Sequence, residues 1–174
     1  MGQLIRLFTQ IAILRRGPQD VPASGLLLAA TVAVYFTINF TVNAVLPPVD
    51  GPWLQHLLLD VAFTFGWYYL LLKLLRRPER ILQTTTAVFG FRTVLAPALV
   101  VSEWLALRYQ HDALWQLPFS LIALVLLVWF IAASGHVVKA ALEWSSPASV
   151  ALVILEVLVG NLLVLSLSAS PVKP

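Results

Sequence analysis

The 174-residue chain is 60% hydrophobic and only 11% charged, against roughly 25% charged residues in an ordinary soluble domain, and it reads as a membrane protein. The absence of cysteine excludes a disulfide framework, a thiolate metal site and a thiol nucleophile. The formal charge of +3 is concentrated beside apolar runs, where membrane orientation signals belong, and argues against a nucleic-acid surface.

In chain order, the first 16 residues, "MGQLIRLFTQIAILRR", place Leu4, Leu7, Phe8 and Ile11 on one helical face and Gln3, Arg6 and Gln10 on the other. This pattern predicts an amphipathic interfacial helix over 1–16, lying on the cytoplasmic leaflet. The interrupted apolar run and the lack of a small-residue cleavage site argue against a signal peptide. Arg6 stands where myristoylation of Gly2 would require Ser or Thr.

Five apolar stretches follow, at about 25–46, 53–75, 83–107, 117–138 and 147–168. Each has the ~20 residues needed to cross a ~30 Å hydrocarbon core. The expected fold is all-α: a polytopic bundle of five transmembrane helices forming one domain over 17–168, with a short tail at 169–174. The connections "PPVDGP", "RRPERI", "RYQHDALW" and "KAALEWSSP" are too short to hold a soluble domain. Ser146 is expected to cap the fifth span, with Pro147 at its first position. Pro97 is expected to kink the third, and Gly66, Gly90, Gly135 and Gly160 to permit close helix packing.

Lysine and arginine are distributed unequally between the two sides. Arg6, Arg15, Arg16, Lys73, Arg76, Arg77, Arg80 and Lys139 share one side, whereas Arg108 and Lys173 lie on the other. The positive-inside bias therefore predicts a cytoplasmic N-terminus and a periplasmic C-terminus in a cell inner membrane. Arg15, Arg16, Lys73, Arg76, Arg77 and Arg80 form a basic set facing lipid headgroups, able to attract anionic lipid as well as to enforce topology.

Ionisable residues inside a span are functional candidates by default. Arg92 lies nine residues into the third span and Glu156 nine into the fifth, which puts both near the midplane. Asp60, on the second span, is within reach of an extended guanidinium. An intramembrane charge cluster of Asp60, Arg92 and Glu156 is therefore predicted. With two acids around one base, the surplus carboxylate must either carry a proton or reach water. The cluster serves as a static pin between helices or as a ligand or proton path. Asn39, Asn43, His56, Glu103 and Asn161 all fall in the outer half, outlining a polar pocket or a set of interhelical hydrogen bonds.

Catalytic chemistry has little to work with. His56, His111 and His136 fall near different membrane surfaces and do not converge on a metal, and HExxH, GxSxG and phosphate-loop motifs are missing. Ser134 and His136, two apart on a helix, point in different directions. No enzyme activity, cofactor or metal is expected.

The layout resembles the small bacterial members of the Yip1-like membrane protein family: a short amphipathic start, "RRGPQD", five spans, and the basic turn "LLKLLRRPER" after span two. The resemblance implies the five-helix plan. Eukaryotic relatives, associated with membrane traffic and small GTPases, carry a DLYGP signature, where this chain has only "VDGP" at 49–52, in an outside loop. No functional residue is carried over. The expected function is a non-enzymatic membrane scaffold or partner-binding subunit, associating with itself or with other membrane proteins in the bilayer. The alternative is a small-solute or proton-coupled carrier using Asp60, Arg92 and Glu156.

Overall fold

The computed structural model describes residues 2–46 and 53–168. Their regular elements are all helical: α1 (Gly2–Ala12), α2 (Gly25–Val45), α3 (Trp53–Leu74), α4 (Ile81–Arg108), α5 (Gln116–Leu142) and α6 (Ser146–Ser168), with 3-10 turns at Pro18–Asp20 and Pro78–Arg80. The 47–52 connection, with its VDGP string, and the 169–174 tail lie outside the described residues. Helices α2 to α6 are each long and apolar enough to cross a bilayer, and the chain is a multi-pass helical membrane protein.

The spans lie where hydropathy places them, with local differences at their ends. Helix α5 continues through Leu142, past the expected end at 138. Its last carbonyls find a donor from outside the helix: Arg80 Nη1 reaches the oxygens of Ala140 (3.1 Å) and Ala141 (2.9 Å). At the start of α6 the Ser145 carbonyl accepts the Ser149 amide at 3.1 Å, so the helical ladder begins one residue before the expected Ser146 cap. Helices α1, α3 and α5 are followed by left-handed residues that are not glycine, namely Leu14 (φ 63°), Arg76 (φ 59°) and Glu143 (φ 58°). After α1 and α3 the chain closes by a Schellman-type bond, Arg15 N–H to Gln10 O and Arg77 N–H to Leu72 O, each 2.8 Å.

Helix α4 occupies the centre. The nine consecutive residues Thr84–Arg92 are all buried, so every face of this stretch is covered. That is the behaviour of a helix apolar all round, enclosed by neighbours. Two of its hydroxyls are internally bonded, Thr85 Oγ1 donating to Ile81 O (2.5 Å) and Thr86 Oγ1 to Leu82 O (2.7 Å), while that of Thr84 is buried without a partner. Helices α1, α2, α3 and α5 pack around α4, and α6 closes against α5 and α3. On the α2 side, Leu28, Tyr35, Leu57, Phe89 and Ala96 form a separate core cluster. Helix α4 runs unbroken through Pro97, which leaves the Thr93 carbonyl without its usual helical donor.

Helix α1 forms, but its apolar face meets protein. Phe8, Ile11 and Ala12 are buried and pack with Val88, Phe91 and Val137 of α4 and α5. Gly90 permits the approach, because a Cβ there would overlap the Phe8 ring. Trp129 Nε1, halfway along α5, donates to Ala12 O at 2.8 Å, and His136 Nε2 lies 3.1 Å from Arg16 O. The expectation of an apolar face laid on lipid is corrected here: a neighbouring helix with a missing side chain offers a closer-fitting partner. Gly135 faces Val150 and Gly160 faces Phe63 as close helix contacts, while Gly66 has open space beside it.

Candidate functional site

Asp60, Thr64 and Tyr68 recur every four residues on α3 and so share one face. Arg92 stands eleven residues after Ile81 and Glu156 ten after Ser146, which puts both about 15–17 Å along their helices at 1.5 Å per residue. The starts of α4 and α6 lie at the same end of the bundle, so the two side chains are level.

The three predicted charges do meet. Arg92 Nη2 lies 2.7 Å from Glu156 Oε1, and Nη1 lies 3.5 Å from Asp60 Oδ1. Nη1 also donates to Thr64 Oγ1 at 2.6 Å. Tyr68 OH donates to the second Glu156 oxygen at 2.8 Å, and Tyr35 OH donates to Asp60 Oδ2 at 2.7 Å. The guanidinium carbon sits 4.9 Å from the centroid of Phe130, a cation–π contact. Helices α2 to α6 thus each contribute a side chain to one arrangement.

The two acids differ in environment. Arg92 and Glu156 are 6% and 3% exposed and form a neutral pair in which both Glu156 oxygens are hydrogen-bonded, while the buried Arg92 Nε has no partner. The Asp60 side chain is 41% exposed and only loosely held by the guanidinium. It borders a cavity of about 210 Å³, walled by α3 and α6 residues including Phe63, Val157 and Asn161 and reaching inward to Arg92 and Glu156.

Of the predicted outer polar set, Asn161 alone lines this cavity. Asn39 and Asn43 donate to Tyr35 O and Asn39 O of their own helix, each at 2.9 Å. His56 is half-buried on α3, and Glu103 is exposed on α4, about three turns beyond Arg92 on the same side of the helix. The expected five-residue pocket is therefore not assembled: a span asparagine satisfies its amide most cheaply on the carbonyl one turn back.

The basic set divides. Arg15, Lys73 and Arg76 are exposed, with Lys73 Nζ over the Tyr69 ring at 5.5 Å. Arg16 pairs with Asp20 at 3.5 Å. Arg77 and Arg80 do not simply face headgroups, since both grip Glu143, at 2.9 and 2.6 Å, and tie the α3–α4 turn to the end of α5. The hydrogen bond from Arg77, followed by that from Arg80, lowers the Glu143 carboxyl to about 2. The same bond raises the Arg77 guanidinium above its ordinary value.

The neutral members Tyr35, Thr64, Tyr68 and Phe130 were not among the predicted site residues. Their trace in the sequence is the four-residue recurrence of Asp60, Thr64 and Tyr68, which points Thr64 and Tyr68 wherever Asp60 points.

The fold and the cluster together define a class: a helical multi-pass membrane protein whose spans converge on a buried arginine with two carboxylates. The chain matches no protein family, no curated protein and no solved structure.

Proposed function

We propose that the protein is a non-enzymatic scaffold or partner-binding subunit of a bacterial inner membrane, with its N-terminus cytoplasmic and its C-terminus periplasmic. The observation that carries this reading is an open apolar groove on α2. Gly25, Ala29, Ala33 and Thr37, spaced four apart, line it, with Phe36 and Phe65 as its walls. Small residues at this spacing let a second transmembrane helix approach closely, and packing rather than hydrophobicity drives such association in lipid. The central cluster supports the same reading by holding the spans in fixed relation, so the groove is a preformed surface. The layout similarity to Yip1-like proteins is consistent with a role played through partners.

The cysteine-free sequence makes the test clean. Ala33→Cys should form crosslinks to a discrete membrane partner or a second copy in native membranes, while Leu121→Cys, an exposed α5 position, should not. Adding Ala33→Leu in a tagged background should abolish recovery of that partner. Equal crosslinking at both positions, or association unaffected by Ala33→Leu, would overturn the reading.

The second reading, a small-solute or proton-coupled carrier, is favoured by the cavity beside Asp60. Reconstituted protein separates the two: a flux that Arg92→Ala abolishes while the fold survives supports the carrier.

A further inference from the structure

The cavity between α3 and α6 is bordered by two carboxylates and a single guanidinium, an excess of one negative charge. Arg92 and Glu156 neutralise one another at 2.7 Å, and Tyr68 occupies the remaining Glu156 oxygen. Asp60 is the surplus carboxylate. Tyr35 OH donates to its Oδ2 at 2.7 Å without supplying charge, Arg92 approaches its Oδ1 only to 3.5 Å, beyond good hydrogen-bond length, and the Asp60 side chain is 41% exposed at the cavity wall. A carboxylate set among apolar spans is unfavourable unless a counter-charge reaches it.

We infer that this cavity binds a small organic cation, a primary ammonium carrying a short apolar body. The groups able to meet an ammonium there are acceptors. Asp60 stands on α3, and across the gap Asn161 stands on α6, its Nδ2 already donating to Val157 O at 2.9 Å and its side-chain oxygen left to accept. The intervening wall of Leu59, Phe63, Val157 and Val164 suits hydrocarbon and leaves a bare metal ion short of oxygen ligands. One bound positive charge brings Asp60, Glu156, Arg92 and ligand to neutrality. The volume of about 210 Å³ accommodates a molecule of a few non-hydrogen atoms. This assignment goes beyond the scaffold reading and does not require that the cation cross the bilayer.

The test uses the full chain in phosphatidylcholine nanodiscs, with thermal unfolding followed against propylammonium chloride, 1-propanol and sodium chloride. Propylammonium should raise the transition temperature in a saturable manner, as any ligand binding only the folded state does, and the other two should not. Asp60→Asn should weaken the apparent affinity by about tenfold or more, as loss of a charge partner does. Val164→Trp, which fills the cavity and leaves every charge in place, should also abolish the response, and it decides the matter if Asp60→Asn fails to fold. A sodium response equal to that of propylammonium overturns the organic class, and an equal propanol response overturns the role of charge. A wild-type response retained in both variants, or none in the wild type, overturns the site.

Discussion

Arg92 and Glu156 tolerate burial because each supplies the other's counter-charge. Truncating either leaves an unpaired charge among apolar helices, so Arg92→Met and Glu156→Leu should each destabilise by about 3–5 kcal/mol. The double variant should recover part of that loss, the remainder reflecting the separate claim of Asp60 on Arg92. Reversible denaturant unfolding of the four proteins in micelles measures the coupling, and strictly additive losses would show that the pair does not act as a unit. At this scale the sequence was legible where a residue carries charge. Arg92, Glu156 and Asp60 announce themselves in apolar spans, and counting residues along each helix puts two of them level. Tyr35, Thr64 and Tyr68 were hidden because a neutral hydroxyl in a span has several inexpensive fates, most often a bond to its own helix, as in Thr31, Thr37 and Thr41.

Between elements, the seat of α1 on α4 depends on one absent side chain. Gly90→Ala should dislodge α1, because the new methyl meets the Phe8 ring. Limited proteolysis should then release the N-terminal segment faster. Phe8→Ala should destabilise by about 3–5 kcal/mol through the cavity it leaves, and the combination of both substitutions should be milder than Phe8→Ala alone. If Gly90→Ala leaves proteolysis unchanged, Phe8 does not occupy this position. The latch between the α3–α4 turn and α5 has a different signature. A carboxyl lowered from 4.5 to about 2 on folding stabilises above pH 4.5 and loses that contribution as pH falls toward 2. Glu143→Gln should therefore unfold at lower temperature than wild type near neutrality and converge with it near pH 2. The gap is small and shrinks with salt, because the Glu143 side chain is 57% exposed. A gap constant with pH would assign the effect to something other than the ion pair. Helix α1 was legible as a helix with one apolar face to bury, yet its covering was not. Periodicity shows that a face will be buried, whereas lipid and protein present the same apolar requirement, and the decisive complement lies some eighty positions away at Gly90.

For the whole molecule, the five spans follow from hydropathy because each segment must be apolar over a bilayer's thickness wherever it sits in the bundle. Which span is central does not follow, since all five are apolar on every side and only packing distinguishes α4. The proposed orientation gives a direct prediction. An alkaline phosphatase domain fused after residue 168 should be active, and the same domain fused after Leu75 should be inactive, because this enzyme matures only outside the cytoplasm. The reverse pattern would invert the topology and place the exposed Arg15, Lys73 and Arg76 on the wrong side of the positive-inside rule. The bond from Trp129 to Ala12 also has a meaning in time. Its partners are 117 residues apart, which at synthesis rates of about 5–20 residues per second is roughly 6–23 s of translation. Helix α1 is thus made well before the α5 part of its seat. Throughout that interval Phe8 and Ile11 need a temporary apolar host, which the finished protein replaces with α4 and α5.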